Sequence, residues 1–109
     1  MSYSIVVTTA FKKQAKQINK KHPSIKNDLL FLISSLEKNP IQGEPLGKDC
    51  YKIRMAITSK GKGKSSGARI ITCVKIVHSF VYLLSIYDKS AKESISEKEL
   101  NQMLKLAGL

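Results

Sequence analysis

Tryptophan is absent from this 109-residue chain, and acidic residues are scarce: eight Asp and Glu face nineteen Lys and Arg. The resulting formal net charge of +11 attracts polyanions, and nucleic acid, an acidic protein and an anionic membrane all fit on charge alone. No apolar run reaches the roughly 18 residues of a spanning helix, so no membrane span is expected, and a membrane is not among the expected partners. The start Met1-Ser-Tyr-Ser-Ile-Val-Val7 lacks the charged head and apolar run of a signal peptide. Cys50 and Cys73 stand alone, with no CxxC and no neighbouring His cluster. That usage points to reduced thiols in the cytoplasm rather than a disulfide scaffold or a zinc site. No Ser-His-Asp set and no positioned carboxylate pair is visible. Gly63-Lys64-Ser65 imitates the end of a P-loop, but Thr58 stands where that motif requires glycine and a strand follows. His22 and His78 fall in predicted turns and read as surface residues rather than bases.

The length predicts one domain over residues 1–109. Tyr3 to Thr8 reads as a short strand. Phe11, Ala15 and Ile18 then recur at helical spacing, with lysines opposite, until His22-Pro23 breaks the run. A second helix from about Ser24 carries the stripe Ile25, Leu29, Leu32, Ile33 and Leu36 and stops at Asn39-Pro40. Two such helices joined by a tight turn predict a helical hairpin lying on a sheet. Ile41 to Asp49, with Gly43, Pro45 and Gly47, reads as a connecting loop. Tyr51, Ile53, Met55 and Ile57 alternate on one face of a strand, and Lys52 and Arg54 project from the other. Thr58 to Ala68, rich in Gly, Ser and Lys, reads as a flexible, solvated loop. Two apolar runs follow, Arg69 to Val77 and Phe80 to Tyr87, as a β-hairpin. Ser96-Glu-Lys-Glu99 fits a capping box, with Ile95 and Leu100 as its staple, and opens a last helix ended by Gly108. The order β-α-α-β-β-β-α predicts an α+β domain with a mainly antiparallel sheet.

A hairpin turn centred on His78 pairs Ile70 with Ile86, Thr72 with Leu84, Val74 with Tyr82 and Ile76 with Phe80 on a largely apolar face. The same register sets Arg69 opposite Tyr87 on the other face. That pair stands at the open end of the hairpin, where the lysine-rich loop enters and Asp88-Lys89 leaves. Lys60, Lys62, Lys64, Arg69, Tyr87 and Lys89 are therefore expected to converge, with Lys52 and Arg54 extending the site. So many cations repel one another unless an anion compensates. Alternatively, the loop is simply a solvated basic turn.

Tyr51-Lys-Ile-Arg-Met-Ala, Ser59-Lys-Gly-Lys-Gly-Lys with Gly67-Ala-Arg-Ile-Ile, and Leu83-Leu-Ser-Ile-Tyr-Asp-Lys together resemble the RelE/ParE toxin superfamily, in its RelE-like, HigB-type branch. The resemblance implies the RelE-like fold and a toxin that cleaves mRNA in the ribosomal A site without metal or other cofactor. It further implies a cognate antitoxin that holds the toxin inactive. Matched by motif, Lys60, Lys62, Lys64, Arg69, Tyr87 and Lys89 would act on the scissile phosphate, with Lys52 and Arg54 binding RNA. Arg69 suits a bidentate phosphate contact, a crowded lysine suits a base, and Tyr87 suits stacking on a base or orienting a 2′-hydroxyl. The competing readings are a ParE-like toxin that inhibits DNA gyrase without nuclease activity, a non-catalytic RNA-binding domain, and an inactive family member.

Overall fold

The computed structural model describes residues 2–92 and 94–109. Strand β1 (Ser4–Val7) leads into helices α1 (Thr9–Lys21) and α2 (Ile25–Lys38). Strands β2 (Glu44–Gly47), β3 (Cys50–Met55), β4 (Ala68–Lys75) and β5 (Phe80–Asp88) follow, and α3 (Glu97–Leu106) closes the chain. The sheet order is β1-β5-β4-β3-β2, antiparallel throughout except for the β1–β5 pair.

Helical spacing decides the first layer. Thr8 caps α1 by accepting the Phe11 amide, and Phe11, Ala15 and Ile18 face the sheet. Ile25, Leu29, Leu32 and Leu36 do the same from α2, against Ile53, Met55, Ile70, Val81, Leu83 and Ile86. On the opposite face α3 lays Leu100 on Cys50, Ile71, Cys73 and Leu84, with Ile95 and Tyr87 packed at the border. Its capping box forms as expected, with the Glu99 amide on Ser96 and the Ser96 amide on the Glu99 carboxylate. Cys50 and Cys73, far apart in sequence, are cross-strand partners buried as free thiols.

Three expectations are corrected. Glu44–Gly47, expected as loop, is an edge strand; Pro45 has no amide to donate and is tolerated where only one neighbour pairs. The hairpin register holds for Arg69 with Tyr87 and Ile70 with Ile86, then shifts: Thr72 meets Leu83, Val74 meets Val81 and Lys75 meets Phe80. Strand β5 carries an extra residue there, a bulge whose loosened groups are taken up by α1 and its cap. Gln14 Oε1 accepts the Ile86 amide at 2.9 Å, and the Thr8 hydroxyl donates to the Leu83 carbonyl at 2.8 Å. Finally, Ile76–His78 forms a 3-10 turn, so β4 ends two residues early and Ile76 pairs with nothing in β5.

Candidate functional site

The loop between β3 and β4 was expected to be flexible, yet its backbone is held at both ends. Asp28, in the first turn of α2, accepts the Thr58 amide at 3.0 Å and the Thr58 hydroxyl, while Ser24 accepts the Ser59 amide at 2.9 Å. Burial pushes the Asp28 carboxyl up, but the bonds from Thr58 and Ser24 together outweigh it and hold its pKa below the ordinary value. At the far end four consecutive carbonyls are captured. The Arg69 guanidinium donates to Lys64 O and Ser65 O, each at 3.0 Å, and Lys60 Nζ donates to Ser66 O at 3.1 Å. The Lys89 amide donates to Gly67 O at 3.1 Å. Between these anchors Gly61 and Gly63 take φ of 68° and 77°, left-handed conformations that let the chain reverse on either side of exposed Lys62.

Arg69 is only 3 % exposed. Sequence reasoning assigned it a bidentate phosphate contact, but in this conformation its fork is occupied by loop carbonyls, with Ala68 O as a third acceptor at 3.3 Å. Tyr87 is its partner across the β4–β5 ladder, and the Tyr87 hydroxyl is buried with no hydrogen-bond partner among the described residues. Burial raises the phenol pKa while the Arg69 charge lowers it less, so Tyr87 stays protonated at neutral pH. Such a phenol is a hydrogen-bond donor waiting for an acceptor, not a base.

The remaining expected residues do not form one cluster; the loop divides them. Lys60, Lys62 and Lys89 line a cleft of about 480 Å³ together with His22, Ser66 and Ser90. Lys64 lines a different cleft, of about 990 Å³, with Lys52 and Arg54 of β3 and with Asp28 and Glu44. Within it Lys52 is paired to Glu44 at 3.1 Å, whereas Arg54, opposite Arg69 on β4, is exposed. Arg69 and Tyr87 lie in the sheet behind the loop and line neither cleft. Among the described residues no three His, Cys, Asp or Glu side chains gather closely enough to hold a metal ion. Among the same residues no helix is long and apolar enough to cross a membrane.

Sequence reasoning missed Asp88 and His22. Asp88 Oδ1 accepts Lys60 at 2.8 Å and the Ser90 amide and hydroxyl, and its Oδ2 lies 3.4 Å from His22 Nε2. Only the Asp88-Lys-Ser90 spacing, an Asx-turn signal, was available in sequence for any of this. Burial pushes the Asp88 carboxyl up, but the Lys60 and Ser90 bonds prevail and hold its pKa below 3.8. A carboxylate depressed in the folded state stabilises it fully above the unfolded value, and that contribution disappears as pH falls through the folded value. Asp88→Asn is therefore expected to flatten the acid limb of the stability curve below about pH 4. Urea midpoints measured across that range check it; parallel limbs for variant and wild type would refute it.

The chain matches the family model described as the RelE toxin of the RelE/RelB toxin–antitoxin system over residues 5–109. Among solved structures, a doubly substituted E. coli RelE toxin in the free state superposes with a TM-score of 0.61 at 22 % identity, over 85 % of this chain and 90 % of that one. The toxin–antitoxin complex RelBE2 from Mycobacterium tuberculosis gives 0.60 at 16 % identity, over 81 % and 99 %. The isolated E. coli RelE toxin gives 0.56 at 18 % identity, over 96 % and 99 %. At these identities the structural likeness speaks for the fold. No curated protein matches the sequence.

Proposed function

Because the chain belongs to the RelE toxin family of toxin–antitoxin systems, we propose that it is a cytoplasmic mRNA endoribonuclease that enters the ribosomal A site and arrests translation. The observation that carries the reading is the capture of the four carbonyls from Lys64 to Gly67. An uncaptured Gly- and Lys-rich loop would be a solvated charge run. A captured one holds cations ready on both sides, and catalysis by electrostatic stabilisation depends on donors that need no rearrangement when charge develops.

The chemistry is attack of a 2′-hydroxyl on the adjacent phosphate. Negative charge then grows on the phosphorane oxygens, where one well-placed donor is worth about 10²–10³-fold in rate. Lys62 and Lys89 supply such donors in the smaller cleft, and Lys60 does so while tied to Asp88 and Ser66; Lys64 stands in the larger cleft. Lys52 and Arg54 bind flanking phosphates in the second cleft. Arg69 fixes the loop, and Tyr87 gains an acceptor for its buried hydroxyl when RNA opens the site. The reaction so written calls for no cofactor. The cognate antitoxin is expected to lay acidic residues over this cationic surface.

The test is a programmed-ribosome assay. The purified chain is expected to cut mRNA within the A-site codon and leave a 5′-hydroxyl on the downstream fragment. Intact mRNA alongside inhibited gyrase would replace this reading by the ParE-like one, and RNA binding without cleavage would leave a binding domain.

A further inference from the structure

His22 occupies a fixed place between two elements. Its amide donates to Ile18 O at 2.9 Å, closing α1, and its carbonyl accepts the Ile25 amide at 3.1 Å, opening α2. Its side chain, 23 % exposed, presents Nε2 to Asp88 Oδ2 at 3.4 Å. Asp88 cannot drift, because Lys60 and Ser90 hold its other oxygen. A carboxylate on one ring nitrogen favours the proton there and leaves the lone pair on the other, here Nδ1.

The surroundings give that lone pair a use. The other side chains lining the cleft are Lys60, Lys62, Lys89, Ser66 and Ser90. An ammonium donates three hydrogen bonds and accepts none, and a serine hydroxyl is a poor base. Asp88 does not line the cleft, and its Oδ1 is already engaged by Lys60 and Ser90. A neutral imidazole is thus the lining group suited to take a proton from a sugar hydroxyl, and it does so among cations suited to bind a phosphate.

Resting on the ribonuclease reading above, we propose that His22 is the general base of the cleavage, with Asp88 as the residue that orients it. Nδ1 takes the 2′-hydroxyl proton as the O2′–P bond forms and the P–O5′ bond breaks. The products are a 2′,3′-cyclic phosphate and a 5′-hydroxyl. The departing 5′-oxygen takes its proton from the Lys89 ammonium, which water replenishes, and His22 returns its own to water. Nothing is oxidised or reduced.

His22→Gln keeps a side-chain N–H for Asp88 but has no basic nitrogen. Its single-turnover cleavage on programmed ribosomes is expected to fall about 10²–10⁴-fold, with A-site binding and thermal unfolding unchanged, so that the loss is in kcat and not in KM. On an mRNA carrying a 5′-thio leaving group, which needs no acid, the variant is expected to stay slow. Recovery on that substrate would make His22 an acid and overturn the assignment as base. Wild type cutting and His22→Gln cutting equally fast would overturn any role for His22 and leave the nuclease reading standing. Wild type leaving ribosomal mRNA intact would instead remove the nuclease reading and the role with it. Should the Gln variant not fold, carbethoxylation of the folded His78→Gln protein, with His22 the only histidine left and its modification followed by imidazole absorbance, decides the matter. Cleavage lost in step with modification and restored by hydroxylamine supports the proposal; cleavage that survives full modification overturns it.

Discussion

Arg69→Ala is expected to lower A-site cleavage by at least about 10²-fold while leaving ribosome binding measurable. The side chain removed is buried and holds Lys64 O, Ser65 O and Ala68 O. Leaving a buried acceptor unpaired costs about 1–3 kcal/mol each, but the loop can swing two of these carbonyls into water. The global penalty is therefore expected at about 2–3 kcal/mol, read as a lower urea midpoint with an unchanged slope. The larger effect falls on the site, because the swing carries Lys64 out of one cleft and frees Lys60 of the other, whose Nζ is held by Ser66 O. Lys52 and Arg54 stay on β3 and keep RNA bound. Arg69→Lys separates clamp from charge: one ammonium lacks the rigid fork that spans two adjacent carbonyls. If the lysine variant cleaved at the wild-type rate, charge alone would be what matters at this position. If the alanine variant remained fully toxic, Arg69 would lie outside the site.

The Arg69–Tyr87 pairing was legible in sequence because alternation at the open end of the hairpin is unambiguous. Ile70 and Ile86 are core residues, so their neighbours must face the other way. Toward the closed end the same reasoning failed for a physical reason. Both faces of β5 are covered, one by α1 and α2 and the other by α3, so Val81, Tyr82, Leu83 and Leu84 are apolar whichever way they point. A one-residue bulge leaves no trace in such a run. What reveals it is the use of Gln14 and Thr8, which sit some seventy positions earlier in the chain.

The site divides along the same line. Which residues carry the charge was readable from composition, and their place at the end of the hairpin from register. Their separation into two clefts was not, because it depends on backbone capture. Glycine, serine and lysine announce a solvated loop, and nothing local says that Arg69 will turn inward to hold it. His22 is further still from legibility. Its partner Asp88 lies 66 positions away, and only the packing of α1 against β5 brings the two within 3.4 Å. Pairs made by tertiary packing between unlike elements have no period to betray them.

Gly67→Ala is expected to be among the most damaging single methyl additions to the chain's loops. A Cβ built at Gly67 would stand 2.1 Å from Met55 O and 3.0 Å from both Ala56 Cα and Ile57 N. All three are backbone atoms, so no side-chain rotation relieves the contact; β3 and β4 must part just where Met55 pairs with Ala68. Overpacking costs about 1–3 kcal/mol where side chains can give way, and here the upper end or beyond is expected. For a domain of this size that corresponds to a fall in Tm of more than about 10 °C. The site is damaged in the same movement, because Gly67 O holds the Lys89 amide and the next residue but one is Arg69. Gly61→Ala provides the control. Nothing among the described residues lies within 4 Å of a Cβ there, and the left-handed φ of 68° opposes it, at about 1–2 kcal/mol. Thermal unfolding of the two variants side by side tests the close approach directly. Equal losses would mean that the β3–β4 junction yields easily, since Gly67, with a φ of -89°, has no left-handed strain of its own to add.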